Sequence, residues 1–182
     1  MRVITGLARG KRLQTVPGNE LVRPTTEKVK EAIFSSIQFD IEGRHILDLF
    51  AGCGQLGIEA LSRGAESAVF VDSSETSLGI VRKNLSGTPF ESKATVIKKD
   101  FSLYLMTCTE NFDIAFLDPP YASGLLLKAL SCTAQHINAN GTVFCEHPAE
   151  VELPESVGGL SVYKTYRFGK IFVTAYKKDD TH

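Results

Sequence analysis

The stretch of this chain whose residue types are best suited to hold a reacting ligand is Asp118-Pro119-Pro120-Tyr121. It follows an apolar run, residues 112–117, which predicts a buried strand. The prolines stiffen the backbone and lack an N–H, so carbonyl groups there stay available as acceptors, and Asp118 adds two carboxylate oxygens. Tyr121 offers a flat face on which a base can stack. The stretch therefore predicts a site for a planar ligand that presents an NH2 group.

A glycine-rich turn lies upstream, between a strand predicted over residues 46–50 and a helix predicted over residues 56–62. Gly52-x-Gly54-x-x-Gly57, with Asp72 at the end of the next predicted strand, has the spacing of a dinucleotide-binding fingerprint. NAD and S-adenosylmethionine both fit this spacing. Asp48, just before the loop, favours S-adenosylmethionine, because its charge would repel a pyrophosphate but attract the α-amino group of methionine. NAD(P) binding and a fold that binds neither ligand are the alternatives.

The elements that position these residues alternate between strand and helix. Strands are predicted at 46–50, 68–72, 95–98, 112–117 and 141–146, and helices at about 25–38, 56–62, 75–85 and 125–134, before a closing hairpin at 161–167 and 171–176. This alternation predicts an α/β fold, a mostly parallel seven-stranded sheet with one antiparallel strand and helices on both faces. Residues 149–159 are predicted to form a loop. The carboxyl ends of parallel strands meet at one edge of a sheet, so the acids that follow them are expected along one cleft: Asp48, Asp72, Asp100 and Asp118.

Composition is that of one globular domain, with 182 residues, 43% hydrophobic and 23% charged. No apolar run reaches the roughly 18 residues of a membrane span, and the first residues do not resemble a signal peptide. The cysteines form no C-x-x-C pair and, like the histidines, no zinc-type spacing, so we expect no metal and free thiols at Cys53, Cys108, Cys132 and Cys145. We expect a cytoplasmic monomer.

Charge is distributed unevenly along the chain. Residues 1–30 hold seven of the 20 cations and only two of the 21 anions, although the net charge is −1. Val3-Ile4 and Leu13 to Val16 are predicted to pair as a small β-hairpin around a basic loop. Such an arm could bind an acidic partner, or it could be a solvated hairpin kept soluble by its charges.

Several motifs together resemble a known family. Asp48-x-Phe50-Ala51-Gly52-x-Gly54 with Asp118-Pro119-Pro120-Tyr121 is similar to the class I S-adenosylmethionine-dependent amino-methyltransferases. More closely, the chain resembles the bacterial 16S ribosomal RNA guanine-N2 methyltransferases of the RsmD type over essentially its whole length. The motifs that carry this closer resemblance are Arg9-Gly10-x-Arg12-Leu13, Arg23-Pro24-Thr25, Lys28-Val29-Lys30-Glu31-Ala32-Ile33-Phe34, Leu47 to Gly57, Arg63-Gly64-Ala65, Phe116 to Tyr121, Glu146-His147 and Arg167-Phe168-Gly169-Lys170.

The chain departs from the family pattern in three places. Cys53 replaces a small hydroxyl residue, and Phe168-Gly169-Lys170 replaces Tyr-Gly followed by a small polar residue. Residues 149–165 carry no signature that matches.

The resemblance implies a Rossmann-like class I methyltransferase domain over residues 23–178. A basic hairpin extension over residues 1–22 would precede it, and a tail over residues 179–182 would follow. The implied activity is methyl transfer from S-adenosylmethionine to the exocyclic N2 of a guanine in 16S rRNA, within an assembling or assembled small ribosomal subunit.

The resemblance also implies roles for individual residues. The amino group would be held and stacked by Asp118, Pro119, Pro120 and Tyr121. The cofactor would be bound by Asp48, Phe50, Ala51, Gly52, Gly54, Asp72, Ser73, Asp100 and Phe101, with Asp48 at its amino group, Asp72 and Ser73 at its ribose, and Asp100 and Phe101 at its adenine. RNA phosphates would be contacted by Arg2, Arg9, Lys11, Arg12 and Arg23.

Some of these residues have a structural alternative. Asp72 and Asp100 could instead be helix N-caps, and Phe101 could belong only to the core. Glu146, at the end of the next predicted strand, either supports the residues of the site or is a cap, and Asp113 is expected to face solvent.

Other amino groups would suit the same tetrapeptide. They are adenine N6 in DNA or RNA, cytosine N4 and a glutamine side-chain amide. The compact chain leaves no room for a separate DNA-reading domain, which weighs against DNA. A non-catalytic RNA-binding module is the alternative from outside the enzymes, and the intact glycine loop and tetrapeptide argue against it.

Overall fold

The structure is a computed structural model that describes residues 1–18, 24–121 and 124–180, without the side chains of residues 24–26. Eight strands and five α-helices are found in these residues. The strands are β1 His45–Asp48, β2 Ser67–Asp72, β3 Ala94–Lys98, β4 Phe112–Leu117, β5 Ile137–Pro148, β6 Ser156–Val157, β7 Leu160–Phe168 and β8 Ile171–Lys178. The helices are α1 Pro24–Ser36, α2 Gln55–Ser62, α3 Glu75–Leu85, α4 Phe101–Thr107 and α5 Leu126–Thr133, with short 3-10 turns at Glu91–Lys93 and Ala134–His136.

The strands form one sheet in the order β3-β2-β1-β4-β5-β8-β7-β6. The first five in this order are parallel, β8 runs antiparallel to β5, and β7 runs antiparallel to β8. The strand order reverses between β1 and β4, which is where ligands bind in open α/β sheets. The predicted mostly parallel α/β architecture is confirmed.

Strand β6 is an eighth strand, one more than predicted, and it lies in the segment predicted as a loop. It has only two residues and pairs with the start of β7. Gly158 and Gly159 join the two strands with φ of 57° and 78°. Two consecutive residues with positive φ produce the tight turn that matches the twist of a hairpin, so this pair of glycines makes the extra strand possible.

Helices cover both faces of the sheet and bury two apolar clusters. On one face, α1, α2 and α3 pack over a row of aromatic rings in which Phe116 lies 5.6 Å from Phe34 and 5.9 Å from Phe144, centroid to centroid. On the other face, α4 and α5 pack over alternate residues of the same strands, among them Leu47 and Leu117. Burial on both faces explains why β1, β2 and β4 are nearly continuous apolar runs in the sequence.

Helix α4 was not predicted. Its seven residues bury Phe101, Tyr104 and Leu105, which have the i, i+3, i+4 spacing of an amphipathic helix. Asp100 caps its first turn, so both a cap and a spacing signal were present in the sequence.

The N-terminal segment forms a minimal hairpin instead of two regular strands, with backbone hydrogen bonds from Val3 N to Lys11 O, Gly10 N to Val3 O and Leu13 N to Met1 O at 2.9, 2.9 and 3.1 Å. A single antiparallel bridge joins Arg2 and Arg12. The backbone N–H groups of Ile4 and Thr5 instead donate to the Glu59 carboxylate on α2, at 2.8 and 3.0 Å. Because these two donors are used by a helix side chain, they do not extend the pairing between the two arms beyond Val3.

Glu59 is fully buried and also pairs with two cations. Lys30 Nζ lies 3.5 Å from one carboxylate oxygen, and Arg63 Nε lies 2.8 Å from the other. Lys30 Nζ donates in addition to the Arg2 carbonyl at 2.6 Å. These contacts fasten the N-terminal segment to α1 and α2, and the boundary predicted at residues 22–23 lies outside the described residues.

Two further residues are placed differently from expectation. Asp113, predicted to face solvent, accepts from the His45 backbone N–H and from the Asn138 amide, both at 2.9 Å, and so ties β4 to the strands on either side. Asp180, in the predicted tail, accepts from the Asn140 side chain at 2.6 Å. Residues 181–182 lie outside the description. None of the helices described is both long and apolar enough to cross a bilayer.

Candidate active site

A cleft of about 840 Å³ opens at the carboxyl ends of β1, β2, β4 and β5. Its volume is in the range of small-molecule sites in proteins. Twelve of the thirteen residues predicted to act in catalysis or cofactor binding line it, namely Asp48, Phe50, Ala51, Gly52, Asp72, Ser73, Asp100, Phe101, Asp118, Pro119, Pro120 and Tyr121. The structure thus brings together residues that are up to 73 positions apart in the sequence.

The glycine loop is shaped by backbone and packing demands. Gly52 has φ of 56°, in the left-handed region that side chains disfavour. A Cβ on Gly54 would lie 3.2 Å from Val81, so this residue packs under the loop and is absent from the cleft lining. A Cβ on Gly57 would lie 2.3 Å from the Phe70 ring, so only glycine lets α2 approach β2 this closely.

Asp48 is buried at the floor of the cleft, with 3% of its surface exposed. Its Oδ2 accepts from the Gly57 backbone N–H at 3.0 Å. Burial raises the pKa of Asp48 to about 7, the charge of Asp72 adds to the rise, and the Gly57 hydrogen bond opposes it. A cation bound beside this carboxyl would favour its charged form.

Asp72 fixes the glycine loop to the end of β2. Its Oδ2 accepts from Gly52 N at 2.9 Å and its Oδ1 accepts from Ser74 N at 2.8 Å. The N-cap of α3 is Ser74, not Asp72, since the Ser74 hydroxyl accepts from Ser77 N at 3.3 Å. Each carboxylate oxygen of Asp72 keeps a second lone pair with which it could accept from a ligand hydroxyl, and Ser73 is exposed beside it.

Asp100 is the N-cap of α4. A helix cap was the alternative to adenine binding that the sequence left open for this residue. Its Oδ1 accepts from Ser102 N at 2.9 Å and from Leu103 N at 3.3 Å. The Ser102 hydroxyl also donates to Oδ1, and this hydrogen bond is the main reason that the pKa of Asp100 lies below its usual value. Phe101 is both core and cleft wall, because its ring packs 5.3 Å from that of Phe50 while lining the cavity.

Asp118 and Glu146 lie side by side, Asp118 directly after β4 and Glu146 within β5, two residues before its end. Leu117 of β4 pairs in parallel register with Cys145 of β5, and each acid follows directly. Burial, then the charges of Glu146 and Asp48, hold the pKa of Asp118 well above its usual value. Burial also raises the pKa of Glu146. Asp48, Asp118 and Glu146 therefore form a group of carboxyls that a positively charged ligand would stabilise.

Tyr121 is oriented by Glu146. Its hydroxyl donates to Glu146 Oε1 at 2.5 Å, which favours the charged form of Glu146 and partly offsets the effect of burial on its pKa. The side chain is 43% exposed, so a face of the ring is accessible from the cleft. The sequence did not pair these residues, because 25 positions separate them and only the β4–β5 register brings them together.

Residues that sequence reasoning did not assign also border the cleft. Met1, Thr15 and Val16 come from the N-terminal segment, and Gln55 comes from the first turn of α2. Gln55 Oε1 is buried and accepts no hydrogen bond from the described part of the chain, so it is a further acceptor available to a ligand. Its place directly after the glycine loop was the signal that could have pointed to it.

The five predicted RNA-binding residues are spread along the N-terminal segment. Arg2, Arg9 and Arg12 are exposed, and Lys11 Nζ donates to the Ser86 carbonyl at 3.3 Å. Arg23 lies outside the described residues. The tip of the loop bonds through Leu7 N to the Ser62 carbonyl, at the end of α2 farthest from the cleft. Arg9 near that tip is therefore separated from the cleft by about the 12 Å length of an eight-residue helix.

Comparison with known proteins identifies the relatives of this chain. Residues 1–177 match the family described as "Conserved hypothetical protein 95". The chain belongs to this family. YlbH of Bacillus subtilis is 40% identical over 98% of this chain and 99% of the relative. A Haemophilus influenzae protein named ribosomal RNA small subunit methyltransferase D is 32% identical over 92% of this chain and 93% of the relative.

A solved structure shares the fold over the whole chain. The Escherichia coli methyltransferase yhhF superimposes with a TM-score of 0.84 at 28% identity, covering 100% of this chain and 99% of that protein. The resemblance to RsmD-type enzymes and the class I methyltransferase fold are confirmed by these matches.

Proposed function

We propose that this member of the family is an S-adenosylmethionine-dependent methyltransferase that modifies the exocyclic N2 of a guanine in 16S rRNA. The observation that carries the proposal is that Asp118-Pro119-Pro120-Tyr121 and the glycine loop line one continuous cleft. The name of the Haemophilus influenzae relative, a methyltransferase of small-subunit ribosomal RNA, supports both the reaction and the substrate.

The charge of the cleft favours S-adenosylmethionine over a dinucleotide. Asp48, Asp118 and Glu146 all line the cleft, and their negative charges would repel a pyrophosphate. S-adenosylmethionine brings an ammonium and a sulfonium to the same region. When bound, it supplies an electrophilic methyl group. Asp48 would hold the ammonium, Asp72 the ribose hydroxyls, and Phe101 the adenine ring.

Asp118 and Pro119 would prepare the acceptor nitrogen. The lone pair of a guanine NH2 is delocalised into the ring, so the nitrogen is a poor nucleophile. The Asp118 carboxylate and the Pro119 carbonyl can accept its two N–H bonds, favour tetrahedral geometry and aim the lone pair at the methyl group. After transfer the nitrogen is cationic and loses its proton readily, so Asp118 need not act as a strong base. Tyr121 would stack on a base turned out of its RNA loop.

The exposed arginines of the N-terminal segment would hold the RNA. Contacts from Arg2, Arg9 and Arg12 to phosphates position a nucleic acid without specifying its sequence. The substrate would be 16S rRNA within an assembling or assembled small subunit, and the protein would act in the cytoplasm.

The test is methylation of 30S particles and of naked 16S rRNA with isotopically labelled S-adenosylmethionine. Nucleoside mass spectrometry should find the label in N2-methylguanosine and should show which of the two substrates is preferred. Label in N6-methyladenosine or N4-methylcytidine, or no transfer to either RNA, would contradict the proposal.

A further inference from the structure

A smaller cavity of about 90 Å³ adjoins the cleft on the side of Tyr121. The two cavities share Pro119, Pro120, Tyr121, Leu125 and Glu146. The rest of the small cavity is mainly apolar, formed by the start of α5 around Leu126 and by the residues that follow β5. Glu146 therefore stands where the cofactor cleft meets a space suited to a flat apolar ring.

Glu146 presents an acceptor at this junction. Its Oε1 is engaged by the Tyr121 hydroxyl, while Oε2 receives no hydrogen bond from the residues that the structure describes. The β4–β5 register places the Asp118 carboxyl next to it. The site thus offers two adjacent carboxyl groups, and the tyrosine hydroxyl fixes the orientation of one of them.

Two adjacent acceptors match only some bases. The Watson–Crick edge of guanine presents N1–H beside the N2 amino group, so it carries neighbouring donors. Adenine N1 and cytosine N3, which lie beside the amino groups of those bases, carry a lone pair and no hydrogen, so they are acceptors. A carboxylate opposite that ring nitrogen would attract guanine and repel the other two bases.

We propose that Glu146 is the residue that selects guanine, its carboxylate accepting N1–H while Asp118 accepts from N2. The inference rests on the proposed function and deepens it, since the tetrapeptide alone suits any of the three amino groups. Tyr121 is a positioning residue for Glu146 as well as a platform for the base. Burial raises the pKa of Glu146. The arriving N1–H donor would oppose this rise, since it favours the charged form of Glu146 that accepts it.

The test combines a protein variant with a base analogue. A 16S rRNA fragment that the wild-type protein methylates is synthesised with 2-aminopurine in place of the target guanosine. This base keeps the amino group but has a lone pair at N1 and lacks O6. Glu146→Gln keeps the size of the side chain and an acceptor for Tyr121. Calorimetry with S-adenosylmethionine checks that the variant is folded, and Glu150→Gln, at an exposed residue outside both cavities, is the matched control.

Glu146→Gln should lower kcat/KM for the guanosine fragment by about 10- to 100-fold, the usual discrimination from a good base contact. For the 2-aminopurine fragment kcat/KM should not fall and should rise, because Gln removes the repulsion between the Glu146 carboxylate and the N1 lone pair and its amide can donate to N1. Equal losses on both fragments would overturn the selection of guanine by Glu146. If the wild-type protein made no N2-methylguanosine, the proposed function would fail and this inference with it.

Discussion

Asp118 is a half-buried carboxyl with two acidic neighbours, Asp48 and Glu146, and this arrangement defines its expected role. If it orients the acceptor amino group, it contributes in the transition state and little to cofactor affinity. Asp118→Ala should therefore lower kcat by about 100- to 1,000-fold, the usual cost of removing one preorganised polar contact to the reacting group.

The affinity of Asp118→Ala for S-adenosylmethionine, measured by calorimetry, should stay within a few-fold of the wild-type value. Labelled methyl transfer to 16S rRNA provides the rate. A loss of cofactor affinity as large as the loss of turnover would show that Asp118 binds the cofactor instead.

Asp48 should make the stability of the ligand-free protein depend on pH. Its pKa is about 7 in the folded protein, against an ordinary value near 3.8, so the folded state binds the proton more tightly than the unfolded state. The stabilisation is fully present below the ordinary value and is lost as pH rises towards 7, by up to about 1.4 kcal/mol per pH unit.

Asp48→Asn removes this titration while keeping an oxygen that can accept from Gly57 N. Urea unfolding at about pH 5 and about pH 8 should show a smaller loss of stability in the variant than in the wild-type protein. Parallel pH dependences in the two proteins would mean that Asp48 titrates normally.

At the level of single elements, α2 depends on a glycine for its distance from the sheet. Gly57→Ala would place a Cβ 2.3 Å from Phe70 in a fully buried contact. We expect a loss of about 1–3 kcal/mol in the free energy of unfolding, as for other overpacked cores. Urea denaturation measures the change.

Gly79 on α3 provides the matched control, because a Cβ there meets nothing within 4 Å. Gly79→Ala should stabilise the protein by up to about 1 kcal/mol through helix propensity. If both variants changed stability in the same direction, close packing of α2 on β2 would not explain Gly57.

The N-terminal segment is the element that should determine the salt dependence of RNA binding. Replacing Arg9, Lys11 and Arg12 by Gln should reduce the slope of log K against log salt by about 0.7–0.9 for each phosphate that the variant no longer neutralises. Filter binding of a 16S rRNA fragment over a salt series measures this slope. Lys93→Gln, at an exposed residue paired with Glu66 before β3, is the control and should leave the slope unchanged. If the triple variant kept the wild-type slope, these three cations would not contact RNA phosphates, and the segment would be a solvated hairpin kept soluble by its charges.

For the whole molecule, the order of elements and the residues at strand ends were predictable because they follow from local patterns. Apolar runs bounded by acids marked β1, β2 and β4, and α3 was predicted over its observed length. Strand β6 has only two residues, too few for periodicity to indicate it, whereas the seven-residue α4 carried a cap and a short helical spacing that were overlooked. The contacts of Glu59 with Ile4 and Thr5 join residues more than 50 positions apart, and no local pattern predicts such a pair.

The candidate site divides in the same way. The residues that line the cleft could be predicted because parallel strands bring their carboxyl ends to one edge. The hydrogen-bond partners of those residues could not be predicted from the sequence. Asp72 bonds to Gly52, and Tyr121 bonds to Glu146, through side-chain directions that only the packed sheet determines. Asp100 showed that a helix cap and a candidate ligand contact can be the same residue.

The strand order has a consequence for how the chain folds. Strand β1 lies between β2 and β4, and Ile46 pairs with Ile114, so one edge of β1 has no partner until β4 has been synthesised. Non-local parallel pairing of this kind slows folding and leaves an exposed strand edge open to aggregation. Asp48 and Asp72 come from the early half of the chain, whereas Asp118 and Glu146 come from the late half. A nascent chain that stops before β4 would therefore carry half of the cleft, and only the completed sheet would gain stability from binding the methyl donor.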